Sequence, residues 1–193
     1  MFKTYALYLF QVDHWESHFV PCLTRLGYSG LYKQRTGDDK LDGCALFYRP
    51  DKLSLLSHHA VEFCQPNVSV LDRDNVAIIA KFRHQGSRNP FVVATTHILF
   101  NKRRTDIKLS QLAVLFAELN TFARDPSAGG PFAVSHLPMI VTGDFNMNPD
   151  SAIVSRFVEQ GAINYNEDLW PNNSYQLPIS LGKCAHMYQL FEK

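Results

Sequence analysis

Hydrophobic positions along this chain alternate between strand-like runs and stripes at helical spacing, and the switches mark out its elements. Residues 5 to 12 form an apolar run that predicts a buried strand. Trp15, Phe19, Val20, Leu23 and Leu26 then recur at helical spacing, with Gly27 as the stop. Asp13 and Glu16, three residues apart, suit a capping box at the start of that helix. Strands are predicted over Tyr28–Lys33, Cys44–Tyr48, Val76–Arg83 and Phe91–Thr96, with Leu53–Phe63 as one strand or a pair. Between them lie the polar turn 35–40, the loop 65–73 and the turn-rich link 85–90.

The clearest helix runs from Asp106 to Phe122, with Ile107, Leu112, Leu115, Phe116, Leu119 and Phe122 on one side. A loop rich in Pro, Gly and Ser (125–138) leads to a short β-branched strand, Met139–Thr142. Asn148, Pro149 and Asp150 then read as the start of a helix reaching Gln160, with Gly161 beyond its end. Periodicity fades after about residue 165. Paired strands with helices between them predict a layered α/β sandwich.

At 193 residues the chain can bury one sizeable core, which argues for a single domain. Its net charge of +1 gives no global pull toward nucleic acid, so such a partner must be met by a local patch. Cysteines 22, 44, 64 and 184 lack metal-ligand spacing, and the apolar surroundings of most predict reduced core thiols. No stretch is long enough to span a bilayer, and Tyr5–Phe10 is too short for a signal peptide. Without secretion, the glycosylation patterns at Asn67 and Asn172 carry no weight. The expectation is a soluble intracellular protein of the cytoplasm or nucleus, not bound to membrane.

Chemistry concentrates where the last strand ends. Gly143 lets the backbone turn, and Asp144 and Asn146 stand two apart, a spacing that on extended chain points both side chains the same way. A carboxylate there can take part in holding Mg²⁺, and a carboxamide can donate to a phosphate oxygen. An Asx-rich turn between strand and helix is the plain alternative. His97 closes another apolar strand. Asp74 and Asn75 form a second Asx pair at a strand start, where Asn75 either reaches a site or satisfies its own turn. Arg35 and Thr36 sit in a polar turn, where a guanidinium can grip phosphate but a solvated arginine is commoner. Lys102, Arg103 and Arg104, with Lys108 one turn on, form the main basic cluster. It suits either an RNA backbone or a charged helix start, and cations at a helix N-terminus oppose the macrodipole.

Gly143-Asp-Phe-Asn146 resembles the GDFN signature of the endonuclease/exonuclease/phosphatase superfamily, and Thr95-Thr-His-Ile-Leu99 its strand-end T-H-L segment. Finer segments resemble the Angel branch, which stands beside the carbon-catabolite-repression deadenylases and nocturnin. These are Leu26–Tyr28, Lys33–Gly37, Asp42–Ala45, Leu71–Val76 and Asn101–Leu112, so the resemblance covers roughly residues 11 to 165. It implies a four-layer α/β sandwich of the DNase I-like kind, incomplete here, in one partial domain over 1–193. It implies Mg²⁺- (or Mn²⁺-) dependent phosphoester hydrolysis at RNA 3′ ends, on poly(A)-like tails or a 2′,3′-cyclic phosphate. His97, Asp144 and Asn146 would be catalytic, Asp144 would hold metal, and Asn75, Arg103 and Arg104 would bind substrate.

The chain also departs from the family pattern. The family's metal-binding glutamate lies in an L-Q-E-V segment, where this chain reads Tyr8-Leu-Phe-Gln-Val12, and a gapless comparison sets Leu9 at that position. Asp13 and Glu16 are nearby acids that helix capping explains better. Lys102 stands where relatives often have Pro. The closing Asp-His pair has no counterpart, since no Asp precedes His186. The expectation is a truncated form, with a catalytically impaired fragment that binds RNA or protein as the alternative reading.

Overall fold

The computed structural model describes residues 5–101, 103–125 and 135–148. Seven strands and two α-helices appear there: β1 (Ala6–Val12), α1 (Val20–Arg25), β2 (Ser29–Gln34), β3 (Gly43–Tyr48), β4 (Leu53–Glu62), β5 (Val76–His84), β6 (Pro90–His97), α2 (Thr105–Phe122) and β7 (Met139–Asp144). A three-stranded sheet has the order β1-β3-β2 and a four-stranded sheet the order β4-β5-β6-β7. All neighbours are antiparallel except β6 and β7. A parallel pair cannot be closed by a tight turn. The chain between β6 and β7 therefore carries α2.

Strand alternation sorts the side chains into layers. Ala77, Ile79, Val92 and Ala94 pack against Leu109, Leu112, Leu115 and Leu119 of α2. The opposite faces meet the other sheet, where Leu46 packs with Ala80, Phe82 and Val93. Ala45 and Phe47, on the outer face of β3, meet Trp15, Phe19 and Leu23. The order is α1, three-stranded sheet, four-stranded sheet, α2, the expected four-layer α/β sandwich.

Several local expectations change. The Asp13–Glu16 capping box does not form: His14, with φ of 50°, occupies the cap position without a side-chain bond. Residues Trp15–Phe19 take a wide π-turn, and α1 starts only at Val20. Pro21 explains this start, because proline lacks an N–H and fits only the first turn of an α-helix. Gly27 does end the helix at φ 83°, where the Tyr28 amide donates to the Leu23 carbonyl and the Gly27 amide to that of Thr24. Leu26 falls past the stripe and is 63% exposed.

Leu53–Glu62 is one strand, with an irregularity between Leu55 and Ser57. Of the cysteines, Cys44 is a core thiol, pushed up to about 12 mainly by burial. Cys22 is exposed and Cys64 half-buried, while Cys184 lies outside the described residues. The predicted helix 149–160, Asn172 and His186 also lie outside them. Leu9 pairs with Ala45 and packs in the layer between its sheet and α1. Among the described residues, no helix is long and apolar enough to cross a membrane.

Candidate active site

Parallel pairing brings the C-terminal ends of β6 and β7 to the same rim, with His97 directly opposite Asp144. The Ile98 amide donates to the Asp144 carbonyl at 2.9 Å, carrying the ladder one residue past the strands. Gly143 makes the approach sterically feasible. Its φ is 137°, and a Cβ there would lie 2.0 Å from the Thr96 carbonyl oxygen.

The parity argument for Asp144 and Asn146 fails, because the strand ends at Asp144 and Asn146 turns left-handed at φ 49°. The two residues meet by a different route. One carboxylate oxygen of Asp144 accepts the Asn146 amide at 2.8 Å, an Asx turn. The Asn146 side chain donates to the Ile98 carbonyl at 2.8 Å, tying the two strand ends together. His97 Nε2 lies 3.9 Å from the other carboxylate oxygen of Asp144. His97, Asp144 and Asn146 therefore share one rim.

Two influences oppose each other at His97. Burial lowers its pKa and dominates, while the Asp144 carboxylate raises it. Arg35 lowers it further and Asp42 raises it. The net shift is downward from 6.5, so His97 is neutral at neutral pH and its contact with Asp144 is not an ion pair there. Asp144 remains 42% exposed on its side chain, against 14% for His97. The carboxylate thus faces solvent.

Arg35 is anchored rather than solvated. Its NH1 contacts both oxygens of Asp42 at 3.2 and 3.3 Å, and its Nε donates to the Asp74 carbonyl at 3.4 Å. Thr36 donates to the Asp74 carboxylate at 2.9 Å. Asn75, expected at the substrate, is only 4% exposed. Its Nδ2 donates to the His97 carbonyl at 2.8 Å, and its Oδ1 accepts Gln111 Nε2 at 3.1 Å. Nor does it merely satisfy its own turn. Arg104 is held by Asp106 through bonds of 2.8 to 3.2 Å, while Arg103 is exposed and donates its amide to Asn101.

Sequence reasoning missed Lys108 and Gln111. Lys108 reads from the sequence as part of the basic cluster, yet it is 3% exposed and donates to the Asn146 carbonyl at 2.6 Å. Gln111 is fully buried and accepts the Leu99 amide at 3.0 Å. The missed signal was spacing. Residues 108, 111, 112 and 115 fall at i, i+3, i+4 and i+7, which puts two polar side chains on the apolar stripe of α2.

Among the described residues, no group of three or more His, Cys, Asp or Glu side chains could hold a metal ion. Asp144 supplies one exposed carboxylate with one oxygen already engaged. That fits only an ion shared with water and a substrate phosphate, a mode typical of Mg²⁺.

A strand-end histidine facing a Gly-Asp-x-Asn turn across a parallel pair, within four α/β layers, places the chain in the endonuclease/exonuclease/phosphatase class. Human protein angel homolog 2 is 42% identical over 158 residues, which is 80% of this chain and 28% of that protein. The chain belongs to the Angel branch of the superfamily. A solved structure of ANGEL2, a 2′,3′-cyclic phosphatase, in complex with adenosine-2′,3′-vanadate, superimposes with a TM-score of 0.75 at 41% identity, covering 83% of this chain and 44% of that one. The catalytic domain of human nocturnin with bound sulfate gives a TM-score of 0.66 at 25% identity, covering 79% and 55%. No family model matches. The chain spans about a quarter of the length of such curated relatives.

Proposed function

We propose that this chain binds a phosphoester at the His97–Asp144 rim and hydrolyses it, the substrate being the 3′ end of RNA. The observation that carries this reading is the convergence of His97, Asp144 and Asn146 on one rim, with a neutral imidazole beside an exposed carboxylate. Within the reading, His97 donates a hydrogen bond to a non-bridging phosphate oxygen, and Asp144 orients the attacking water and accepts its proton as the P–O bond to one ribose oxygen breaks, that proton passing on to the leaving ribose oxygen. Asn146 braces the turn that carries Asp144, and one hydrogen of its carboxamide is committed to Ile98. Arg103, exposed in the segment between β6 and α2, contacts the RNA backbone. Asp144 would be the residue that holds a Mg²⁺ ion, whose chemistry would be charge neutralisation at the phosphate.

A 2′,3′-cyclic phosphate is favoured over a poly(A) tail, since the solved relative with the same fold at 41% identity is a 2′,3′-cyclic phosphatase. The test offers the purified chain an RNA ending in a 2′,3′-cyclic phosphate and, separately, an oligoadenylate, each with Mg²⁺ and with EDTA. Loss of the cyclic phosphate in Mg²⁺, reduced about 10²–10³-fold in Asp144→Ala, is the expected result. Equal inertness of wild type and variant would sink it.

A second reading has its own observation. The described residues offer a single rim carboxylate for metal, and Leu9 lies in the outer layer. It predicts RNA binding without turnover, which the same assay reads as retention of the labelled RNA unchanged.

A further inference from the structure

Two buried polar residues on α2 touch both halves of the rim, and neither has a place in the chemistry above. Lys108 holds the carbonyl of Asn146, the residue whose left-handed turn sets Asp144's carboxylate. One turn along the same stripe, Gln111 accepts the Leu99 amide and donates to Asn75, which in turn donates to the His97 carbonyl. A buried ammonium is a weak source of stability, because desolvation offsets what its partners return. A fully buried glutamine is tolerated only when its carboxamide is satisfied at both ends. Lys108 reaches the Asn146 carbonyl and Gln111 the Leu99 amide, each a backbone atom just past a strand end, and Gln111 also reaches the buried Asn75 side chain.

We propose that Lys108 and Gln111 are positioning residues for the hydrolytic rim. Through them α2 fixes the 144–146 turn and the 97–99 segment in one frame, and so sets the separation of Asp144 and His97. Helix α2 suits that task because Leu109, Leu112, Leu115 and Leu119 pack it onto the sheet that carries both strands. This inference rests on the phosphoesterase reading for its kinetic arm only. Its structural arm stands apart from turnover.

The test uses the full chain and near-isosteric variants, each read at a bond that the substituted side chain does not make. In Lys108→Met the reporter is the Asn146 amide, bonded to Asp144, and in Gln111→Leu it is the Ile98 amide, bonded to the Asp144 carbonyl. Amide hydrogen exchange by NMR is expected to quicken at each reporter by about tenfold or more while the central amides of β5 keep their protection. With adenosine 2′,3′-cyclic phosphate, kcat is expected to fall about 10- to 100-fold at nearly constant KM, the scale of a small misplacement. Thermal unfolding is recorded alongside.

Unchanged exchange at both reporters, with only a lower Tm, would overturn the proposal and leave the two residues as plain core members. If either variant fails to fold, Lys108→Arg or Gln111→Glu replaces it. Each keeps the charge or the acceptor, is expected to change the same reporter less, and refutes the proposal if that reporter does not move. Should the wild-type chain turn over nothing, the phosphoesterase reading fails while the exchange data still decide this one.

Discussion

The two sheets of this protein are held in different ways. The four-stranded sheet packs one face against an 18-residue helix and closes on a parallel pair whose ends carry His97 and Asp144. The three-stranded sheet is covered by a π-turn and a six-residue helix in which no residue is fully buried. Its β1 carries a bulge at residues 10 and 11, with Gln11 at φ 58°. The site has been built on the half where long-range packing over-determines the backbone. The other half contributes Arg35 and Asp42 from a loop, and these tune the field at His97 from a distance.

The sharpest way to break the contrast is a methyl group on one glycine in each half. Gly143→Ala would place a Cβ 2.0 Å from the Thr96 carbonyl, between the paired strands, at φ 137°. The expected loss exceeds about 4 kcal/mol, or about 2 M in the urea midpoint, at the severe end for single substitutions. Gly27→Ala meets only the Arg49 side chain, at 3.6 Å or beyond. It should cost about 1–2 kcal/mol, the penalty of the left-handed conformation alone. Equal losses would show that the two halves are not differently constrained.

Helix truncations come next. Leu115→Ala on α2 removes a fully buried side chain and should cost about 2–5 kcal/mol. Leu23→Ala on α1, where the side chain is only partly buried, should cost less than about 1.5 kcal/mol by area removed from water. Denaturant unfolding read by tryptophan fluorescence reports both, and reversal of their order would contradict the layering described above.

A smaller effect concerns pH. His97 titrates below 6.5 in the folded chain, because burial disfavours its charged form more than Asp144 favours it. Above 6.5 folded and unfolded chains both hold it neutral, and its contribution to stability is fully present. As pH falls through 6.5 the unfolded state takes up the proton first, so stability is lost until the folded-state pKa is passed. His97→Gln should therefore flatten the decline in stability on the acid side of 6.5 and leave the neutral range unaffected by this linkage.

The smallest effect separates the two arginines. Arg103→Gln should lower the slope of log affinity against log salt for single-stranded RNA by about 0.7, as expected for one lost phosphate contact. Arg104→Gln should lower it less, because Asp106 already holds that guanidinium. Equal slopes would place both residues in the same electrostatic role.

Much of this architecture was legible in the amino-acid order, and the reasons are local. The apolar stripe of α2 and the continuous runs of β5 and β6 can only be buried one way. The polar runs between strands marked the turns. The rim was legible as well, since a His closing one strand and a Gly-Asp-x-Asn closing another must meet if the strands pair in parallel. What stayed hidden depended on partners far along the chain. Nothing near Arg35 announces that Asp42 and Asp74 will anchor it, and nothing near Asn75 names the His97 carbonyl as its acceptor. The capping box misled because Asp13 and Glu16 match the pattern while Pro21 sets where regular hydrogen bonding can begin.

The parallel pairing of β6 and β7 has a bearing on how this molecule comes into being. Antiparallel neighbours can zip from their hairpins, but His97 cannot face Asp144 until the whole crossover has folded back and its loop entropy has been met. The His97–Asp144 rim therefore exists only once that crossover has closed. A molecule able to grip a phosphate there would certify by that act that its topology is complete.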